Sequence, residues 1–295
     1  MLGFEFKKRL LISIILILGL GLICNLVYAV ELLRIDQAKV RLSIAPGYSQ
    51  AGTITIDNPS SETQSVQIYL QDWHYLPAAD GTKKFVEPNS TTFSCAPWIS
   101  FSPAELSLPP FSRAKVNYTV RVPPEARGGY YAVLFFENLL GQAETEGEVV
   151  NVSLAVRMAV LFYVEAEGTV ERSGSIDNFS LEIQPDDILL LNADFSNTGN
   201  VDVAAGGTFN IIDREGMVYA RGEINNIYTF PGEGAKLMGS SSKANLPPGR
   251  YDLVVTLDLG KALSDTARSR GPILVKEALL EIGNSGQILD LGELR

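Results

Sequence analysis

The amino-acid sequence predicts an all-β protein made of two tandem immunoglobulin-like antiparallel β-sandwiches, which follow an N-terminal signal or anchor helix. Three observations lead to this prediction. Beyond residue 30, short runs of alternating polar and apolar residues recur about every ten residues, separated by Gly, Pro, Asn and Ser. The same succession of turn and strand signals occurs twice along the chain. The composition, 46% hydrophobic and 20% charged over 295 residues, is typical of a globular protein.

The first 29 residues have the pattern of a secretory signal peptide. A basic group at residues 7–9 precedes an uncharged, mostly apolar run from Leu10 to Cys24, and Val27-Tyr28-Ala29 places small residues before a cleavage position. The apolar stretch extends to Leu26, about 17 residues, which is the lower limit for a membrane span. The sequence therefore predicts export, with residues 1–29 as either a cleaved signal peptide or a retained membrane anchor.

The first immunoglobulin-like domain is predicted at residues 30–166. Its longest strand runs from Val149 to Val164, and the stretch between Tyr75 and Pro97 predicts a long loop with at most a short strand near Phe85. The alternating patterns predict strands at residues 39–44, 53–57, 65–73, 98–101, 114–122, 130–137 and 149–164.

The second domain is predicted at residues 175–283, after a polar, glycine-containing linker at 166–175 and before a C-terminal tail at 284–295. Turn residues again separate short apolar runs. They predict strands at residues 179–183, 188–196, 208–213, 217–224, 237–244, 251–259 and 273–281.

The two halves share a local order of residues. In each half a Pro-led turn precedes Ala-Lys, a strand and then Pro-Pro follow, and Gly and Tyr open the next strand. These elements lie at residues 110–130, ending in Gly129-Tyr130, and at residues 231–251, ending in Gly249-Arg250-Tyr251. A tyrosine at this position is typical of a tyrosine corner, in which the hydroxyl bonds to an upstream backbone group. The repeat predicts two copies of one fold, with Tyr130 and Tyr251 as the corner residues.

The composition excludes several classes of function. The net charge is −10, and a chain this acidic is not expected to bind the phosphate backbone of a nucleic acid. His74 is the only histidine, and Cys24 and Cys95 are the only cysteines. No catalytic, metal-ligating or cofactor-binding constellation is apparent, so the sequence predicts a protein that is not an enzyme and carries no cofactor.

Phe101–Pro110 contains Ser-Pro and Leu-Pro-Pro and runs into an alternating strand. This segment resembles the corresponding stretch of the PapD-like periplasmic chaperones of pilus assembly. The resemblance covers most of the chain beyond the signal segment. Its other segments are 115–121, 129–137, 150–163, 195–200 and 248–251.

This resemblance implies that the seventh strand of the first domain supplies a missing strand to an incomplete subunit. The side chains of the strand at 149–164 alternate, so its even-numbered residues form one apolar row. An equally weighted interpretation is that this row fills the core of its own domain. The donor-strand candidates are Val150, Val152, Leu154, Val156 and Met158.

The same resemblance implies an anchor for the C-terminal carboxylate of the client, built from an arginine in the first strand and a lysine in the seventh. Lys39 or Arg41 matches the first position. The lysine position falls near Ala159 or Val160, where this chain has no lysine, and Arg157 is nearby on the opposite face from the apolar row. The basic pair of the family is therefore half present.

Together these observations predict an exported, non-enzymatic protein of the periplasm or cell envelope. Its partners would be extracytoplasmic protein subunits, for which it acts as a chaperone or assembly factor by β-strand augmentation. The alternative is a structural or adhesive cell-envelope module that the apolar residues 10–26 hold to the membrane.

Overall fold

The computed structural model describes residues 32–143, 152–185, 187–242, 245–260 and 271–295. The predicted signal or anchor segment at 1–29 lies outside these residues. Within them, no helix is long and apolar enough to cross a membrane. The described chain forms β-strands in two tandem sandwiches, which confirms the predicted fold class.

Two sheets form the first sandwich. One sheet has the order β1-β3-β8-β6, and the other has the order β2-β10-β9-β4-β5, with β7 paired to β4. A short 3-10 turn at Ala96–Trp98 precedes β6. The strands are β1 (Arg34–Ile35), β2 (Lys39–Ile44), β3 (Ser49–Asp57), β4 (Gln64–Tyr75), β5 (Lys83–Val86), β6 (Ile99–Ser102), β7 (Glu105–Leu108), β8 (Arg113–Arg121), β9 (Gly128–Ala143) and β10 (Val152–Ala166).

The alternating pattern of these strands builds the first core. Every second residue of β3 and β10 points inward, so Ile54, Ile56, Val160 and Phe162 are fully buried between the two sheets. Burial of each such side chain stabilises the fold by about 1.5–3 kcal/mol. The opposite residues of β9 and β10 point away from this core, towards the second sandwich.

Residues 75–97, predicted as a long loop with at most a short strand near Phe85, contain the short strand β5 and a segment that Asp72 holds in place. The buried Asp72 carboxylate accepts hydrogen bonds from the backbone N–H groups of Ser90 and Thr91 at 2.9 and 3.0 Å, and from the Ser94 hydroxyl at 2.6 Å. The Thr91 hydroxyl donates a further bond at 3.1 Å. One carboxylate thus fixes a loop whose own sequence lacks a strand pattern.

Replacing Asp72 with asparagine is expected to lower the free energy of unfolding by about 2 kcal/mol, because an amide nitrogen would face donors that now meet a carboxylate oxygen. Urea denaturation followed by tryptophan fluorescence measures the change. The matched control is Asp80→Asn, an exposed aspartate, for which no measurable change in the free energy of unfolding is expected. Equal effects of the two substitutions would contradict the role of Asp72.

The second sandwich is a single path of eight strands, β11-β12-β15-β14-β13-β16-β17-β18, folded around a second core. Residues 284–295, predicted as a tail, contain β18, which pairs with β17. The strands are β11 (Gly174–Ile183), β12 (Leu189–Asn197), β13 (Val203–Ile212), β14 (Val218–Thr229), β15 (Gly234–Ser241), β16 (Gly249–Asp258), β17 (Ile273–Ile282) and β18 (Ile288–Leu291).

One of the two predicted tyrosine corners forms as expected. The Tyr251 hydroxyl donates to the backbone carbonyl oxygen of Pro247 at 2.7 Å. In the first sandwich, Tyr130 packs its ring on Trp98 with the centroids 4.1 Å apart, and it is the hydroxyl of Tyr131 that makes buried hydrogen bonds. Those bonds reach the second sandwich, so this position joins the two sandwiches instead of closing a corner.

Candidate functional site: a basic cleft and a free strand edge

A small basic cleft lies where the two sandwiches meet. It has a volume of about 180 Å³, and three cationic side chains line it: Lys39 and Arg41 from β2 and Lys83 from β5. Its remaining lining residues are Tyr75, Asp80, Gly81, Tyr163 and Tyr228. Cations from strands far apart in the sequence therefore converge on one cavity.

The alternation of β2 places Lys39 and Arg41 in this cleft. Val40 and Ile44 are buried in the first core, so the odd-numbered residues of β2 face the opposite way. β2 pairs in parallel with β10, and this register sets Arg41 beside Tyr163. The Arg41 guanidinium lies over the Tyr163 ring, 4.1 Å from its centroid, which holds the cation at the wall of the cleft.

Lys83, the third cation, was not among the residues predicted from the sequence. Its Nζ donates to the Gly81 carbonyl oxygen at 3.0 Å and lies 5.1 Å from the ring centroids of both Trp73 and Tyr75. Burial lowers the pKa of Lys83, and the neighbouring cationic charges lower it further. An anion bound in the cleft would offset the repulsion between these cations and favour the charged form of Lys83.

An aromatic cluster fills the space between the two sandwiches, directly behind the cleft. Phe230 of the second sandwich packs against Trp73, Tyr75 and Tyr131 of the first, with centroids 4.6 to 5.3 Å apart. The backbone N–H of Tyr228 donates to the carbonyl oxygen of Ala79 at 2.9 Å, so the β4–β5 turn reaches the second sandwich. These contacts fix the walls of the cleft relative to one another.

Asp202 is a buried carboxylate at the base of this cluster, contributed by the second sandwich just before β13. The Tyr131 hydroxyl donates to it at 3.1 Å and accepts a bond from its backbone N–H at 2.6 Å. The Tyr75 hydroxyl lies 3.4 Å from its other oxygen. Burial raises the pKa of Asp202, and the nearby Arg41 charge acts in the opposite direction.

The second feature of the site is a free edge on β10. Leu161–Ala166 pair with β2 on one side and with β9 on the other. Residues 152–160 pair with β9 alone among the described strands. The N–H of Leu161 donates to the carbonyl oxygen of Ala38, on the β2 side. Because backbone groups alternate along a strand, the N–H and C=O groups of Ala159, Arg157 and Ala155 face the same, open side.

The donor-strand candidates divide into two groups. Met158 packs against the first core and Val156 is half-buried on the same face, so this part of the apolar row faces its own sandwich. The backbone of β10 is described from Val152 onward, whereas Val150 and the side chains of Val152 and Leu154 lie outside the described part. For residues 158–164, the apolar row fills the domain's own core.

The structure does not bring Arg157 to the cleft. Arg157 is six residues from Tyr163 along β10, a distance of about 20 Å at the rise of a β-strand. Its guanidinium lies over the Phe135 ring at 4.9 Å, and its Nη1 is 3.4 Å from the Tyr69 hydroxyl. The cation that joins Lys39 and Arg41 in the cleft is therefore Lys83 of β5 and not a residue of β10.

Three solved structures show what the chain is similar to. No protein-family model and no curated protein matches the sequence. The class 5 fimbriae chaperone CfaA matches with 13% identity and a TM-score of 0.45, over 83% of this chain and 98% of that one. The E. coli chaperone DraB matches with 12% identity and a TM-score of 0.38, over 83% and 97%. The Salmonella enterica SafA pilin–SafB chaperone structure matches with 11% identity and a TM-score of 0.40, over 84% and 97%.

These matches belong to the same class of protein that the sequence resembles. At 11–13% identity and TM-scores of 0.38 to 0.45, they do not transfer a function to this chain. Within the described residues, no group of three or more His, Cys, Asp or Glu side chains is arranged to hold a metal ion.

Proposed function

We propose that the chain is an exported, non-enzymatic chaperone or assembly factor that binds an extended segment of another protein. The segment adds a strand to the free edge of β10, and its C-terminal carboxylate enters the basic cleft. The juxtaposition of the two features is the observation that carries this proposal: the open edge at residues 152–160 ends where β2 begins, at Lys39. The sequence resemblance to PapD-like chaperones supports subunits of surface or pilus fibres as clients.

The direction of the client strand follows from the same geometry. β2 runs parallel to β10 and occupies its edge from Leu161 onward. A client strand beside residues 152–160 lies end to end with β2. For its carboxylate to reach Lys39 and Arg41, its C-terminus must lie at the Val160 end of the edge, so the client strand runs parallel to β10. Main-chain hydrogen bonds would supply affinity without demanding a particular client sequence.

The cleft has the chemistry of a carboxylate anchor. Arg41 and Lys83 are held by aromatic rings and a backbone carbonyl, and neither forms an ion pair with an acidic side chain among the described residues. Charge-assisted hydrogen bonds from such donors are stronger than neutral ones. A carboxylate that enters the cleft would supply Arg41 and Lys83 with the acidic partner that they lack among the described residues.

A pair of synthetic peptides tests this proposal. An N-acetylated decapeptide of alternating valine and serine with a free C-terminal carboxylate is expected to bind at least about tenfold more tightly than the same peptide with a C-terminal amide, since the amide lacks the charged acceptor. Isothermal titration calorimetry on the chain from residue 30 onward measures both affinities. Equal affinities, or no binding of either peptide, would contradict the proposed function.

A further inference from the structure

The basic cleft has a buried counter-charge that belongs to the second sandwich. Asp202 shares hydrogen bonds with Tyr131 and Tyr75, and Tyr75 also lines the cleft. One aromatic side chain thus separates a buried anion from a cavity lined by three cations. Coulomb interactions stay strong over a longer distance where water is excluded. The charge of Asp202 therefore influences how strongly the cleft attracts an anion.

We propose that Asp202 sets the anion affinity of the cleft through its protonation state, so that a carboxylate binds in the cleft more tightly when Asp202 is protonated. This inference rests on the proposed function, because it assumes that the cleft takes the carboxylate of a client. Asp202 makes no contact with that carboxylate. In its ionised form, Asp202 reduces the net positive potential that the client carboxylate experiences in the cleft.

Charged and titratable groups on every element packed around Asp202 influence whether its carboxyl group is ionised. The hydroxyl groups of Tyr75 and Tyr131 stabilise its ionised form by donating hydrogen bonds, while burial favours the neutral form. The surrounding charged and titratable groups are Arg41 on β2, Tyr75 on β4, Lys83 on β5, Tyr131 on β9, Tyr163 and Glu165 on β10, and Arg172 in the linker.

Linkage fixes the sign of the effect. A bound carboxylate places a second negative charge near Asp202 and so favours its neutral form, which means that binding takes up a proton. By reciprocity, protonation of Asp202 strengthens carboxylate binding by the same factor. Because burial raises the pKa of Asp202 above its ordinary value, Asp202 takes up its proton at a higher pH than a free terminal carboxyl group does. The client carboxylate therefore stays ionised while Asp202 titrates.

The pH dependence of peptide affinity tests this inference. For the wild type, the dissociation constant of the free-carboxylate decapeptide is expected to fall by roughly fivefold as the pH is lowered from 7.5 through the titration of Asp202. The Asp202→Asn variant removes the titrating charge, so its dissociation constant should change by less than about twofold over the same range. If Asp202 had only a structural role, its replacement would change affinity or stability but would leave the pH dependence of the affinity, the slope, in place.

Two control variants separate Asp202 from other titrating groups. Asp80 also lines the cleft, but the Thr82 backbone N–H holds its pKa below the usual value, so Asp80→Asn should strengthen binding equally at all these pH values and leave the slope intact. His74 precedes Tyr75 on β4, and its Nδ1 lies 3.0 Å from the Tyr75 carbonyl oxygen. The His74→Gln variant should keep the slope of the wild type.

The outcomes distinguish this inference from the proposed function. Binding that is tight and independent of pH, or a slope that survives in Asp202→Asn, would overturn the role of Asp202 and leave the cleft as the carboxylate site. Failure of the peptide to bind at any pH would overturn both. If Asp202→Asn does not fold, the carboxyl ¹³C shift of Asp202 in the wild type, followed with and without peptide, replaces it: an upward pKa shift on binding is expected, and no shift would overturn the inference.

Discussion

Replacing Arg41 and Lys83 together with methionine is expected to weaken binding of the free-carboxylate decapeptide by about 100-fold or more, because each cation supplies a charge-assisted hydrogen bond to the bound carboxylate. Methionine keeps an unbranched apolar stem at each position, whereas the cation–π contacts of Arg41 with Tyr163 and of Lys83 with Trp73 are lost with the charge. Isothermal titration calorimetry at constant pH and ionic strength measures the loss.

Lys84 provides the matched control for this substitution. It is adjacent to Lys83 on β5, it is exposed, and it is not among the residues that line the cleft. The Lys84→Met variant removes the same charge from the same strand, and we expect its peptide affinity to stay within about twofold of the wild type. An equal loss for Lys84→Met and the double variant would mean that general attraction, and not the cleft, binds the peptide.

Replacing Ala159 with proline is expected to abolish detectable peptide binding and to leave the sandwich folded. The Ala159 N–H faces the free side of β10, so a proline there removes a donor that a client strand needs and places its ring in the path of that strand. The pairing of β10 with β9 uses the backbone groups of the even-numbered residues and is not interrupted. Fluorescence anisotropy of a labelled peptide measures the binding.

Ala159→Val is the control for this experiment, since it changes the side chain and keeps the N–H group. We expect it to bind the peptide with an affinity close to that of the wild type, and we expect both variants to unfold cooperatively in urea. Unchanged peptide binding by a folded Ala159→Pro variant would rule out strand addition at this edge. The Arg157→Pro variant, at the next position with the same backbone orientation, repeats the test if Ala159→Pro does not fold.

The strands of both sandwiches could be predicted from the sequence because alternation directly reports which side of a strand meets a core. The pattern of β2 correctly put Lys39 and Arg41 on a face away from the core, and that of β10 put Arg157 opposite its apolar row. Alternation does not report which strand becomes a neighbour. The open edge of β10 depends on where β2 begins to pair, which is a tertiary property. The predicted domain boundaries remain a prediction.

Lys83 and Asp202 could not be predicted for a related reason. Lys83 lies within a segment rich in Pro, Gly and Ser, and its position in the cleft depends on the β4–β5 turn reaching Tyr228 in the second sandwich. Asp202 follows a turn that looked like ordinary loop sequence, and its partner Tyr131 is more than 70 residues away. Buried polar contacts between domains leave no local periodic pattern, so only the folded chain brings them together.

A thermodynamic cycle tests most directly whether the cleft recognises the terminal carboxylate of a client strand. The cycle compares the free-carboxylate and amide decapeptides on the wild type and on the Arg41→Met, Lys83→Met double variant. In the wild type, the change from carboxylate to amide is expected to cost at least about tenfold in affinity, and in the double variant less than about twofold. The same loss in both proteins would show that the carboxylate is bound elsewhere and would contradict the account.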